Sequence, residues 1–299
     1  MERDTKKEEK TFKVKYLYEV FGLTKQGYYQ RIKRDNKRAE RDRHILMLVE
    51  EIRKELPRSG TKKLLIYLRE PLEQAGIKIG RNALFDLLRS HDMLVKRTRR
   101  FHLTTDSKHG FKKSPNLIKD SEITHSEQAI AADITYLQTD EKHAYLAILT
   151  DLYSKKIVGY CVADNMRVEL VKQALQMAHK NKMFNGTETI HHSDRGIQYC
   201  CPDYKQFAAK LGFKMSNTQE YDPYENAVAE RVNETLKYEF GLNRKFVNLR
   251  ELEKAVAQAV WIYNNKRVHW SLGLKTPEEV HQSYDSVKYK SYSKTQKAG

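Results

Sequence analysis

Two periodicities divide the chain. Between residues 12 and 100 apolar positions recur at helical spacing; after about residue 128 they gather into strand-like runs with helices between them. Within the helical region a single pattern occurs twice. In KYLYEVFGLTKQGYYQRIKR a short apolar helix stops at Gly22, Thr24 stands where the next helix needs an N-cap, and Tyr28, Tyr29, Arg31 and Arg34 follow. A long amphipathic helix comes next, with Ile45, Leu48, Val49, Ile52 and Leu56 on one face and Pro57 as its stop. The second copy runs from TKKLLIYLRE through a turn at Gly76 into IGRNALFDLLRSHDML, where Leu84, Leu87 and Leu88 form the buried stripe and Arg81 and Asn82 open the helix.

Each copy alone suits a structural helical hairpin as well as a DNA-reading helix-turn-helix. The stretch KRTRRFHLTTDSKHGFKKSPNLIKDSEITHSEQ that follows loses periodicity and is expected to be a basic linker lying along DNA. Beyond it, AIAADITYL, HAYLAILTDLY and KKIVGYCVA predict an antiparallel meander. RVELVKQALQMAHK is a helix, TETIHHSD a strand, PDYKQFAAKLG a helix, FKMSNT a strand, and two long helical stretches close the domain. The sum is a mixed five-stranded sheet covered by helices, an α/β fold.

Charge sharpens this division. Of 55 Lys+Arg and 39 Asp+Glu, residues 1–120 hold 31 and 17, a net of +14; the remainder holds 24 and 22, a net of +2. A basic excess confined to the half with two tandem helix-turn-helix patterns favours a polyanionic partner, DNA, over a solubility device or an acidic protein partner. The charged start MERDTKKEEK and the lack of a long apolar run predict neither export nor membrane insertion, so the protein is expected to be cytoplasmic. Three cysteines, Cys161, Cys200 and Cys201, with no CxxC pair, argue against a disulfide framework.

The candidate chemistry lies in carboxylates set in otherwise apolar or strand-end contexts. Metal-assisted phosphodiester cleavage needs acids converging from separate elements on two cations roughly 3.5–4 Å apart. Asp133 interrupts AIAADITYL, where a charge is costly unless paired or metal-bound. Asp151, at a strand end, is a weaker candidate, because turns commonly begin with aspartate. Asp194 ends TETIHHSD; local sequence fits an ordinary turn aspartate equally well. In YENAVAERVNETLKYEF, Val228, Val232, Leu236 and Phe240 form an apolar stripe, with Asn226, Glu230, Asn233 and Lys237 opposite. By itself that polar face suits a solvated helix surface, and Glu225 and Glu234 compete with Glu230. A zinc site on His191, His192 and the Cys200–Cys201 pair is the rival chemistry, but adjacent strand residues point to opposite faces. A non-catalytic DNA-binding regulator is the other rival.

Order and spacing join the three acids: 60 residues lie between Asp133 and Asp194, and 35 between Asp194 and Glu230. This resembles the DDE transposase and retroviral-integrase superfamily. More closely, DITYL, LTDLYSKKIVGY, HSDRGIQY, ENAVAERVNETLK and YNNKRVHWSLGLKTPEEV, in that order, are similar to the motifs of OrfB-type transposases of the third numbered family of bacterial insertion sequences. TTDSKHG and NLI resemble that family's linker, and the tandem helix-turn-helix resembles its N-terminal region. Ile130, Glu225 and the pair Arg231–Val232 depart from its usual residues and leave the three acids intact.

The resemblance implies a ribonuclease-H-like catalytic core preceded by an all-α tandem helix-turn-helix region. The expected limits are 1–100 for DNA binding, 101–128 for the linker, 129–245 for the core, and 246–299 for a C-terminal helix and basic tail. It implies Asp133, Asp194 and Glu230 as metal-binding catalytic acids for two Mg2+ ions, with Mn2+ as a substitute. It implies cleavage of insertion-sequence ends and transfer of the 3′-hydroxyl. Lys237 and Asn226 are expected at the DNA end; Lys25, Gln26, Tyr28, Arg31, Arg81, Asn82, Arg97, Arg99 and Arg100 are the further DNA-contact candidates. The implied partners are double-stranded DNA (terminal inverted repeats and target), further copies of the chain on DNA ends, and an upstream OrfA-type product or fusion. In the C-terminal motif Arg267 and His269 are weaker DNA candidates, while Trp270, Leu272 and Leu274 are expected to pack a closing segment.

Overall fold

The computed structural model describes residues 18, 20–22, 24–96, 111, 113–119, 121–183, 188–219 and 226–283. The chain divides into two compact units, with Gly60–Leu94 and the residues up to Lys54 in the first, and Glu55–Ser59 and the residues from Val95 in the second. Arg97, Arg99, Arg100, Glu225 and the TTDSKHG segment lie outside the described residues.

The first unit is helical: α1 (Lys25–Glu55), α2 (Thr61–Tyr67), α3 (Arg69–Gln74) and α4 (Arg81–Ser90). Thr24 caps α1 as its position predicts, its hydroxyl accepting from the Gly27 amide at 3.0 Å. The expected boundary between the first reading helix and the long amphipathic helix is absent: α1 is one helix of 31 residues. No glycine or proline interrupts that stretch after Gly27, so helical hydrogen bonding continues from the basic segment into the apolar one. TKKLLIYLRE, by contrast, forms α2 and part of α3, divided at Leu68. Ile45, Val49, Leu64, Leu68, Leu72, Leu84, Leu87 and Leu88 make the core, which confirms the stripe read from the second copy. After α3, Gly76 takes φ +65°, and the Ile77 amide reaches back to the Leu72 carbonyl at 2.8 Å, so the left-handed residue ends the helix without leaving its last carbonyls unpaired.

The second unit is the predicted α/β layer structure. Its elements are β1 (Ala129–Thr139), β2 (His143–Asp151), β3 (Ile157–Ala163), α5 (Val168–Lys180), β4 (Thr189–Ser193), α6 (Ile197–Cys200), α7 (Pro202–Lys210), β5 (Phe213–Asn217), α8 (Ala227–Glu239), β6 (Lys245–Phe246), α9 (Leu249–Asn265) and α10 (Pro277–Gln282). Strand order is β3-β2-β1-β4-β5, with β1, β2 and β3 antiparallel and β1, β4 and β5 parallel. This mixed sheet with helices on both faces is the ribonuclease-H-like arrangement. The two-residue β6, which adds to β1, makes a sixth strand that the five-strand reading omits because so short a bridge carries no periodicity.

Alternation along β1 sorts its side chains. Ile130, Ala132 and Ile134 join Leu170, Val171, Ala174, Tyr204 and Ala208 under α5 and α7. Leu137 joins Val232 and Leu236 of α8 and Leu252, Val256, Val260 and Tyr263 of α9 on the other face. The segment expected to begin a separate C-terminal region thus supplies core to the sheet. Residues 113–119 and 121–128, within the stretch expected as linker along DNA, also hold to this unit: Ile123 is 1% exposed, and Ser114 and Leu117 are bonded to β5 side chains.

Two further expectations change, and the turn reading of Asp151 holds. Trp270, expected to pack, is 57% exposed, while Leu272 is buried. Arg267 is buried and makes two 2.7 Å bonds to the Glu239 carboxylate, with His269 beside it, so it staples the end of α9 to the end of α8. Asp151 is fully buried and accepts from the Ser154 amide and hydroxyl at 2.7 Å and the Glu127 amide at 2.6 Å, which makes it a structural turn residue.

Helix and sheet approach each other closely at Gly159 of β3, where a Cβ would lie 2.2 Å from the Ala174 carbonyl oxygen and 2.9 Å from the Ala178 amide nitrogen. Gly159→Ala is therefore expected to push α5 from the sheet and lower stability by about 3 kcal/mol. Urea unfolding checks this: the midpoint falls while the slope is unchanged.

Candidate active site

Asp133 sits in mid-strand with β2 antiparallel on one side, where it is paired with Ile148. On its other side β4 runs parallel, with Ala131 beside His192 and Ala132 beside Ser193. One further step along both strands sets Asp133 next to Asp194, on the same side of the sheet, where β4 ends. The register alone thus brings together two acids separated by 60 residues in sequence.

The environment of Asp133 is unfavourable to its charge. Burial first, then the Asp194 carboxylate, and more weakly Glu230, push its carboxyl up to about 7. Two hydrogen bonds oppose this shift: the Asn233 amide donates to Oδ2 at 2.7 Å, and the Ile134 amide donates to Oδ1 at 2.9 Å. Asp133 thus feels two further acids, one from a strand end and one from a helix.

Asp194 begins a tight loop in which its Oδ1 accepts from the Gly196 amide at 3.0 Å. Gly196 is needed for closeness rather than for unusual backbone angles, since a Cβ there would lie 3.0 Å from that same oxygen. Arg195 crosses to the Thr218 carbonyl at 2.7 Å, and the Asn217 amide donates to the Asp194 carbonyl at 3.0 Å, so the loop is tied to the end of β5.

The two histidines separate as the strand period requires. His191 faces the α7 side, 2.8 Å from the Tyr204 hydroxyl, and burial pushes its imidazole down to about 3, which keeps it neutral. His192 shares the Asp133 side and pairs with the Ser216 hydroxyl at 2.8 Å. Their rings point away from each other, the geometry that tells against the zinc reading.

Helix α8 departs from the amphipathic expectation. Val232 and Leu236 are buried, as the apolar stripe predicts, but so are Asn226 and Asn233 on the face read as solvated. That face lies against β1. Asn226 donates to the Ala132 carbonyl at 3.3 Å, with its side chain buried. Glu230 is exposed in the first turn of α8. Lys237, half-buried, is lowered by burial while the Asp133 carboxylate attracts its charge.

Two site residues escape the sequence reading. Asn233 is visible three positions after Glu230, yet only the fold shows that its amide holds Asp133. Asn217, in the polar end of FKMSNT, carries no signal beyond that position.

Among the described residues no three His, Cys, Asp or Glu side chains converge closely enough to hold an ion. The donors still suit a hard divalent cation, being carboxylate oxygens crowded at a cost that a positive charge would relieve. The buried Oδ1 atoms of Asn226 and Asn233 have no protein partner either. Of the DNA-contact candidates, Lys25, Gln26, Arg31, Arg81 and Asn82 are exposed, the last two at the start of α4. Tyr28 is half-buried against Tyr18, ring centroids 4.9 Å apart. No helix among the described residues is long and apolar enough to cross a membrane.

Family models agree with this architecture. Two family models, each described as an integrase core domain, match residues 123–223 and 211–277. An uncharacterized 31 kDa protein of insertion element IS600 from Shigella sonnei is 33% identical over 276 residues, covering 91% of this chain and 99% of its own. The transposase InsF for insertion sequence IS3fB of Escherichia coli (strain K12) is 27% identical, with 91% and 95% covered. Among solved structures, the HTLV-2 integrase catalytic core domain in complex with magnesium is 17% identical with a TM-score of 0.41, covering 52% of this chain and 97% of that one. The chain belongs to the IS3-type insertion-sequence transposases, DDE-type polynucleotidyl transferases built on an integrase core and acting in DNA transposition.

Proposed function

We propose that Asp133, Asp194 and Glu230 are the catalytic, metal-binding acids of this transposase, that two Mg2+ ions (or Mn2+) are the cofactor, and that the substrates are the element's terminal inverted repeats and a target duplex. The observation that carries this reading is the joint effect of Asp194 and Glu230 on the Asp133 carboxyl. Asp133 and Asp194 would hold one ion, Asp133 and Glu230 the other. Bound there, the ions supply Lewis-acid stabilisation of the attacking and leaving oxygens of an in-line displacement.

The chain's own groups do the rest. Asn233 holds Asp133 through Oδ2 while the Ile134 amide holds Oδ1, so both carboxylate oxygens are positioned. In the first cut one of the Asp133 and Asp194 carboxylates, once ionised, takes the proton of the attacking water as the water oxygen bonds to phosphorus and the bond to the 3′-oxygen breaks, that oxygen leaving as the 3′-hydroxyl. The exposed 3′-hydroxyl replaces that water in the second step, strand transfer, on the same acids. Lys237 supplies positive charge beside them for a DNA phosphate.

Exposed Lys25, Gln26, Arg31, Arg81 and Asn82, with Arg97, Arg99 and Arg100 in the basic segment, contact the repeat; Tyr28 supports the first of these helices. Residues 1–100 serve as the DNA-binding region, with further copies of the chain, and an upstream OrfA-type product, completing the assembly on DNA ends.

Single substitutions Asp133→Ala, Asp194→Ala and Glu230→Ala are expected to cut Mg2+-dependent cleavage and strand transfer on terminal-repeat DNA by about 10²–10³-fold or more. Gel assays of end cleavage check this; full activity in any one variant removes that residue from the site.

The raised Asp133 carboxyl has a consequence for stability. Its folded value, about 7, exceeds the ordinary aspartate value of 3.8, so between these pH values the folded state binds more protons than the unfolded state. Metal-free protein is therefore expected to lose stability as pH rises from about 4 through 7, by on the order of 1–3 kcal/mol, with a plateau above. Asp133→Asn should remove that slope. Thermal unfolding across this range without divalent ions measures it.

For the helical region, Arg81→Ala with Asn82→Ala is expected to weaken terminal-repeat binding by roughly tenfold or more. Fluorescence anisotropy at fixed salt, with cleavage of saturating DNA as control, reads this effect.

A further inference from the structure

Ser216 and Asn217 end β5, the edge strand, and both are fully buried. Asn217 uses its whole amide. Its Oδ1 accepts from the Ser114 backbone amide at 2.9 Å, while its Nδ2 donates to Ser193 Oγ at 3.1 Å and to the Asp194 carbonyl at 3.0 Å. Ser216 Oγ accepts from the Leu117 amide at 2.9 Å and lies 2.8 Å from His192 Nδ1. Two backbone donors from a segment about one hundred residues earlier thus end on side chains that also hold the strand and loop of Asp194.

The neighbouring Lys113 is exposed, and its charge reaches the Cys200 thiol, which also feels Asp194. Periodicity offers no reason for a polar, proline-containing stretch to be held by buried groups. The bonds themselves supply one, because a buried amide left without its partners costs about 1–3 kcal/mol, so the docked segment and the loop geometry stand or fall together.

We propose that Ser216 and Asn217 are positioning residues that clamp residues 113–119 onto the strand end carrying Asp194, so that docking of this segment is a condition for productive Asp194 geometry. The segment then acts as a component of the catalytic centre, with Lys113 held at its rim toward the DNA backbone. This rests on Asp194 being a catalytic acid, and it deepens that reading by naming what sets the acid's position. Misplacement of a reacting group by about 1 Å costs on the order of 10²-fold in rate, so loss of the clamp should appear in turnover rather than in DNA affinity.

The test uses the full chain with three changes: Asn217→Ala, which removes the clamp from the core side, and Ser114→Pro and Leu117→Pro, which delete one donor each and leave every core residue in place. Two quantities are read, hydrogen exchange of the peptide spanning residues 113–119, and kcat and KM for Mg2+-dependent cleavage of a duplex carrying the DNA end that adjoins this coding sequence. Expected are slow exchange in the wild type, fast exchange in all three variants, a fall in kcat of about 10–100-fold, and KM within about twofold. Fast exchange in the wild type, or variants that exchange fast yet keep wild-type kcat, overturns the proposal. So does an effect confined to KM. Asp194→Ala run in parallel separates the two readings: if it keeps activity, the assignment of Asp194 fails, and exchange alone then decides whether the clamp exists.

Discussion

A carboxylate in the middle of a central strand is the constraint on which the catalytic unit turns. Asp133 has β2 on one side, β4 on the other and α8 over it, and burial together with two further acids raises its carboxyl to about 7. Such a group would ordinarily be replaced by an apolar one, because nothing in packing rewards it. Its neighbours answer to that constraint. Asn233 offers the donor that keeps the carboxyl oriented, α8 turns two amides as well as its apolar residues to the sheet, and the register of β1 with β4 delivers Asp194 to the same place.

Around this centre, side chains that look functional in sequence carry the structural load. Arg267 ties α9 to α8 through Glu239; Asp151 closes the β2 turn; His191 is a neutral core residue against Tyr204. Asn226, expected at a DNA end, holds the strand next to Asp133 through the Ala132 carbonyl. These groups are polar because buried backbone and carboxylate partners require it.

Much of the fold is legible in the sequence, for a physical reason. The strands β1 to β5 and the helices α5, α7 and α9 are long or strongly patterned, and their apolar periods state which face is buried. The failures share another cause. A polar face on α8 says nothing about whether water or a carboxylate lies opposite, so periodicity assigns Asn226 and Asn233 to solvent. The two-residue β6 is too short for any period, α1 runs through a boundary that only a turn residue could have marked, and Trp270 stays exposed though its apolarity suggests packing. Order and motif single out the three acids, whereas their mutual influence, and the role of Asn217 in holding the Asp194 loop, emerge only from the sheet register and side-chain bonds.

Centrally, the Asp194 and Glu230 carboxylates both act on the buried carboxyl of Asp133. Carbon-13 NMR titration of the Asp133 carboxyl in metal-free protein tests this most directly, in the wild type and in Asp194→Asn and Glu230→Gln. The prediction is a wild-type value near 7 that falls in both variants, further for Asp194→Asn. A value in the usual aspartate range, or one that neither substitution moves, would contradict it.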